Sequence, residues 1–135
     1  MNKLLLFTLV LGTFLLASCG SSNNTPRPIG TLESVPADYA GKTNPLNVDA
    51  SIEGANIVQK NCETCHGKQG HGDGSAGQAI DPPPTNLAEL QAVASDDYLF
   101  WRISEGRFGT SMVGWKSTLT EEQIWQAVAF IRTLK

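Results

Sequence analysis

Cys62, Glu63, Thr64, Cys65 and His66 stand in a row near the middle of a 135-residue chain. Two thiols three positions apart fall on one side of a helical turn, and an imidazole follows the second directly. This C-x-x-C-H pattern is the attachment signature for a c-type haem. Cys62 and Cys65 would bond the two vinyl groups of the porphyrin, and the His66 imidazole would bind the iron. Two other chemistries use paired cysteines. A thioredoxin-like redox pair expects a strand–helix–strand setting, which the sequence lacks. A zinc site wants four ligands, yet only His71, on a glycine-rich loop, remains to join.

A low-spin iron carrier needs a second axial ligand on the opposite face. Apart from Met1, the chain holds one methionine, Met112. It sits in Gly109-Thr110-Ser111-Met112-Val113-Gly114-Trp115, between two expected helices. A methionine used as core filler would lie on an apolar helix stripe, which this one does not. A thioether ligand raises the iron's potential relative to a second histidine. It also closes the coordination position that substrate chemistry would need. The expectation is therefore a one-electron carrier with no catalytic residues and no small-molecule substrate. A peroxidase, or a gas or redox sensor working through a displaceable Met112, is the alternative from another class. His71 reads as a solvent-facing loop residue on the wrong side to reach the distal face. Trp101 and Trp115 read as pocket wall or rim, and Trp125 as core or docking surface. Lys116 is set aside as a ligand because Met112 is beside it.

The elements that must place these residues are helical. Residues 50–61 form a first helix, with Ile52, Ala55, Ile57 and Val58 on or near one face. Residues 67–94 are rich in Gly and Pro and read as mostly loop. Ser95 caps a helix running through Glu105; Asp96 and Asp97 fill its first turn and Gly106 stands at its stop. Residues 107–119 form the loop that carries Met112. Thr120-Glu121-Glu122-Gln123 is a capping box opening a last helix, on which Ile124, Ala127, Val128, Ile131 and Leu134 make an apolar stripe. No run has strand period, so the fold class is all-α. The compact part, 49–135, spends nearly a third of its length on loop and has few apolar side chains for a solid core. A buried porphyrin would supply the missing apolar bulk.

The first residues read differently. Lys3 and the apolar run from Leu4 to Leu16 look like a leader, and Leu16-Ala17-Ser18-Cys19 resembles the lipobox of bacterial lipoproteins. Residues 1–18 are then a signal peptide and Cys19 is the lipidated N-terminus. A helix over residues 4–17 would span about 21 Å, short of the roughly 30 Å of a bilayer's hydrocarbon core, so it suits a leader better than an anchor. Residues 19–48 read as a lipid-anchored tether or interaction segment: Ser, Asn and Pro first, then scattered Ile29, Leu32, Val35, Tyr39 and Leu46 lying on the domain or a partner. All three cysteines are thereby assigned and no disulfide is expected. Thirteen Asp and Glu face ten Lys and Arg, one of which is Lys3 in the leader. The remaining acidic balance argues against nucleic acid and against a polybasic membrane patch.

Beyond the attachment motif, residues 50–135 resemble the class I bacterial mono-haem cytochromes c. The resemblance rests on Gly54 ahead of Cys62 with Phe130 on the last helix, on Gly67-Lys68-Gln69-Gly70-His71-Gly72-Asp73-Gly74, and on Pro82-Pro83-Pro84-Thr85-Asn86-Leu87. Arg102-Ile103-Ser104-Glu105-Gly106 and the Met112 loop follow in family order. It implies one covalent haem c, His66 and Met112 as axial ligands, and a close crossing of the first and last helices at Gly54. It also implies a backbone carbonyl within Pro82–Pro84 that orients the His66 ring. Val113 departs from the proline that often follows the methionine. The stretch Tyr39-Ala40-Gly41-Lys42-Thr43-Asn44-Pro45-Leu46 ahead of the haem domain is similar to the mono-haem lipoprotein subunit of alternative complex III, a quinol-oxidising assembly. That resemblance implies redox protein partners, a place on the extracytoplasmic side of a bacterial membrane, and a role for residues 20–48 as a strand lying on neighbouring subunits. A free lipid-anchored shuttle to a terminal oxidase is the rival within the same chemistry.

Overall fold

The computed structural model describes residues 29–135; the expected leader, Cys19 and the start of the tether lie outside the described residues. Among the described residues the chain forms α1 (Ala50–Asn61), α2 (Glu63–His66), α3 (Leu87–Val93), α4 (Asp96–Glu105) and α5 (Glu121–Ile131), with a 3₁₀ turn at Gly77–Ala79. No strand forms among them; Gly106 and Val113 make one isolated antiparallel bridge. The fold is the all-α one the apolar periods imply.

The last helix starts as its sequence dictates. Thr120 Oγ1 accepts from the Gln123 backbone N–H at 3.2 Å, and Gln123 Oε1 accepts from the Thr120 N–H at 2.9 Å. The two orphan donors of the first turn are thereby satisfied. Its stripe of Ile124, Ala127, Val128 and Ile131 is buried, with Val128 fully so, and Trp125 joins it. This face packs mainly on α1. The two backbones approach at Gly54, where an added Cβ would stand 1.9 Å from the Gln126 carbonyl oxygen and 2.9 Å from the Phe130 Cβ. On α1 the inward positions are Gly54 and Val58. Ile52, expected near the buried face, is exposed, because Gly54 must point at α5 and that sets the helix rotation.

Two details were not foreseen. Residues 67–94 are mostly loop, as expected, but α3 occupies Leu87–Val93. Its signal is Asn86-x-x-Glu89: Asn86 Oδ1 accepts from the Glu89 N–H at 3.2 Å while its amide donates to Glu89 Oε1 at 3.0 Å. Leu87 and Leu90 bury one face. Ser95 stands at the N-cap position of α4 but makes no side-chain cap bond; its hydroxyl donates instead to Asp97 Oδ1, which also accepts from the Tyr98 N–H at 2.8 Å. Ahead of α1 runs the segment read as a tether or interaction segment.

From Ile29 to Val48 that segment lies on the helices. Ile29, Leu32, Val35, Tyr39 and Leu46 pack against the core. The Gly41 N–H donates to Asp97 Oδ2 at 2.7 Å and the Asn44 amide to the Trp125 carbonyl at 2.9 Å. The Tyr39 hydroxyl donates to Glu105, and its ring lies 6.0 Å from Phe100, which stacks on Trp125 at 4.1 Å. Of the two surfaces left open for these apolar residues, the described part takes its own domain. Regular structure is absent there because Pro36, Gly41 and Pro45 interrupt it.

Candidate functional site

Cys62 ends α1, and Cys65 and His66 lie in the single turn of α2. The His66 N–H donates to the Cys62 carbonyl at 2.9 Å and the Cys65 N–H to the same oxygen at 3.2 Å. Both thiols are free. Burial pushes the Cys62 thiol up to about 11, and the neighbouring Cys65 adds to it. A thiol held protonated in this way is unlike the low-pKa thiolate of a dithiol redox pair.

His66 Nδ1 lies 3.0 Å from the Thr85 carbonyl. A carbonyl only accepts, so Nδ1 carries the proton and Nε2 keeps a lone pair for a metal. Burial lowers the affinity of the ring for a second proton, against the pull of the Thr85 bond; the neutral imidazole is the form that ligates. The carbonyl was expected from Pro82–Pro84 and comes from one residue further on. The reason is local: the Leu87 N–H bonds the Gly70 carbonyl at 2.6 Å, which draws residues 85–87 alongside the loop that follows His66. Pro82 and Pro84 line the cavity instead.

Met112 lies on the same cavity as Cys62, Cys65 and His66. Its loop folds back on α4 through backbone contacts. The Arg107 N–H donates to the Met112 carbonyl at 2.9 Å and the Trp115 N–H to the Ile103 carbonyl at 2.9 Å. This return needs Gly106, with φ of +74°, where a Cβ would stand 2.4 Å from the Met112 carbonyl oxygen. Backbone bonds thus do for the loop what a proline at position 113 would otherwise do. The cavity has a volume of about 280 Å³. Tyr98, Leu99 and Ile103 from α4 and Ile131 from α5 give it an apolar wall, to which Trp115 adds.

Of the other residues given a place by the sequence, Trp101 falls elsewhere than expected. Trp101 does not line the cavity; it lies edge-on to Tyr98 at 5.7 Å and carries the Arg102 guanidinium at 3.8 Å from its ring centre. Trp125 is core. His71 is half-buried and bonds the Lys135 carbonyl through Nε2 at 3.2 Å, away from the cavity. Lys116 pairs with Glu105 at 2.8 Å.

Residues given no role by the sequence reading also reach the cavity. Arg102 lines it, 8 % exposed, with Nη1 donating to the Gly106 carbonyl at 3.4 Å and Nη2 ion-paired with Glu33 Oε2 at 2.6 Å. Its buried Nε has no partner. Arg102 was legible in part, as a cation in register with Tyr98, Leu99 and Ile103 on a buried stripe. Glu33 carried no signal, because nothing local fixes where its segment runs.

The donor set suits a haem: two free thiols, a neutral imidazole with Nε2 available, a thioether, an apolar wall, and a buried cation near a group that bears carboxylates. Among the described residues no group of three His, Cys, Asp or Glu side chains is placed to hold a bare metal ion. A family model described as cytochrome c oxidase, cbb3-type, subunit III, matches residues 50–131. The chain belongs to that cytochrome c family. Solved c-type cytochromes share the fold. The KustC0563 c-type cytochrome is 29 % identical with a TM-score of 0.51, covering 61 % of this chain and 96 % of that one. Cytochrome cL of the marine methylotroph Methylophaga aminisulfidivorans is 19 % identical with a TM-score of 0.51, covering 82 % of this chain and 72 % of that one. A chain of the Kuenenia stuttgartiensis reducing HAO-like complex Kustc0457/Kustc0458 is 17 % identical with a TM-score of 0.58 over 81 % of this chain, which spans about half, 52 %, of that one. No curated protein matches. As a cytochrome c the protein holds haem c covalently and serves electron transfer.

Proposed function

We propose that the protein is a one-electron carrier whose haem c is bonded through Cys62 and Cys65 and ligated by His66 and Met112. In this reading it is anchored by a lipid on Cys19 to the extracytoplasmic face of a bacterial membrane and serves in a quinol-oxidising assembly such as alternative complex III. The observation that carries the reading is the meeting of His66 and Met112, far apart in sequence, on one apolar cavity beside both thiols. When bound, the haem supplies a one-electron centre. The protein's own part is to keep that centre rigid and shielded. Thr85 fixes the His66 ring and keeps it basic. The backbone bonds of the 106–115 loop hold Met112 at the cavity, where its thioether would be the second ligand to the iron and would leave no position for substrate or gas. The apolar wall excludes water, which limits rearrangement between oxidation states.

Met112→Ala tests the ligand. The variant should lose the weak far-red charge-transfer absorption, fall in reduction potential, and bind carbon monoxide in the ferrous state, whereas the parent protein keeps its Soret spectrum under the gas at neutral pH. A parent protein that binds the gas rapidly and fully is instead an enzyme or sensor. Cys19→Ser should release the protein from membranes; retention after a high-salt wash removes the lipid reading. The assembly is supported by the likeness of residues 39–46 to its mono-haem subunit. Mild-detergent extraction should bring a large quinol-oxidising complex with the protein, and recovery as a lone haem protein favours the free shuttle.

A further inference from the structure

The family match begins at residue 50, yet part of the cavity wall comes from in front of it. Ile29 to Glu33 line the cavity, with Ile29 and Leu32 packed on the core. Glu33 ends this stretch and meets two cations of the same wall, Arg102 at 2.6 Å and Arg107 at 3.6 Å. The three groups are unequal. Glu33 is half exposed, whereas the Arg102 side chain is 10 % exposed and lies over the Trp101 ring at 3.8 Å from its centre. A guanidinium shielded in this way keeps its charge in a poorly screened place. Glu33 does not saturate it, since Nε remains without a partner. Two positive charges and one negative therefore lie on the wall around the haem.

We propose that Glu33 is a potential-setting residue: delivered by the segment ahead of the family domain, its carboxylate offsets Arg102 and Arg107 and holds the haem's reduction potential below the value those two arginines alone would impose. The inference rests on the haem reading given above. Its physical basis is one of sign. The ferric state carries one more positive charge than the ferrous, so nearby cations favour reduction and nearby anions oppose it. A carboxylate paired with both arginines cancels part of their field. The residue acts through the charge of the centre's surroundings and touches neither thiol nor axial ligand.

The test is a redox titration of the full-length holoprotein and three variants. Glu33→Gln keeps the shape and should raise the potential. Glu33→Lys should raise it further. Arg102→Gln, which removes the cation, should lower it. A role confined to docking the segment would have another signature: loosening it admits water to the cavity, which favours the ferric state, so both Glu33 variants would fall. A lower or unchanged potential in Glu33→Gln overturns the proposal. Glu33 is exposed enough for its variants to fold, so the outcome does not depend on Arg102→Gln being stable. Covalent haem staining of the parent protein separates the two levels. If it is colourless, both this inference and the haem reading fail; if it is coloured but Glu33 has no effect of the stated sign, this inference alone fails.

Discussion

At Gly54 one methyl group decides whether the first and last helices meet. Its Cβ would overlap the Gln126 carbonyl oxygen at 1.9 Å, and backbone on both sides cannot yield as a side-chain tip could. Gly54→Ala should cost about 3 kcal/mol and lower the melting temperature of the holoprotein; an unchanged melt would mean that the crossing is looser than this. Thr85 shows a different residue-scale limit. A carbonyl has no side-chain signature, so the motif identifies His66 as a ligand without naming what orients it. Arg102 lies between these cases. Its place on a buried stripe was readable, but what it pairs with depends on a residue 69 positions away.

Among the elements, α5 is the one that local rules specify most fully. Thr120 and Gln123 close the capping box and the apolar stripe sets the buried face, so Thr120→Ala should cost about 1 kcal/mol. Ile124→Ala, at 2 % exposure, should cost about 3 kcal/mol through the cavity it leaves. Chemical denaturation of the holoprotein checks both. The 29–48 segment follows other rules, because side-chain pairs hold it. Arg102 holds the Glu33 carboxyl below its usual 4.5. The Ser95 hydroxyl and the Gly41 and Tyr98 N–H groups hold Asp97 below 3.8. Lys116 and the Tyr39 hydroxyl hold Glu105 below 4.5. The pairs that cross to the segment, Glu33 with Arg102, Asp97 with the Gly41 N–H and Glu105 with Tyr39, stabilise docking above the carboxyls' unfolded values and lose that contribution as pH falls through the folded ones. Tyr39 is pushed up to about 12, first by its bond to Glu105 and then by burial. Its contribution is full below 10 and is lost as pH rises toward 12. Hydrogen exchange should therefore show residues 29–48 protected across the neutral range and released first below about pH 4 and again above 10. Equal protection at pH 3 and pH 7 would refute the pairing.

At the scale of the whole molecule the core is divided. One part, of Val58, Phe100, Ile124, Trp125 and Val128, is solid protein; the other is the wall of a cavity of about 280 Å³. Without a haem the apolar side chains of that wall lose their packing partner and face water, a large loss for a domain of marginal stability. Replacing both thiols, Cys62→Ala with Cys65→Ala, should therefore abolish a cooperative thermal transition and the near-ultraviolet circular dichroism of the packed aromatics. A sharp melt in that variant would mean that the protein part of the core stands alone.

The amino-acid order by itself determined the haem motif, the candidacy of Met112 opposite His66, the three long helices and the all-α class, because each rests on spacings within one or two helical turns or on the scarcity of a residue type. Tertiary structure alone decided that Thr85 rather than a proline meets His66, that Ile52 faces outward, and that Glu33 reaches Arg102. These depend on where the chain returns in space. Return is governed by packing and backbone bonds summed over the whole domain, which no local stretch of residues encodes.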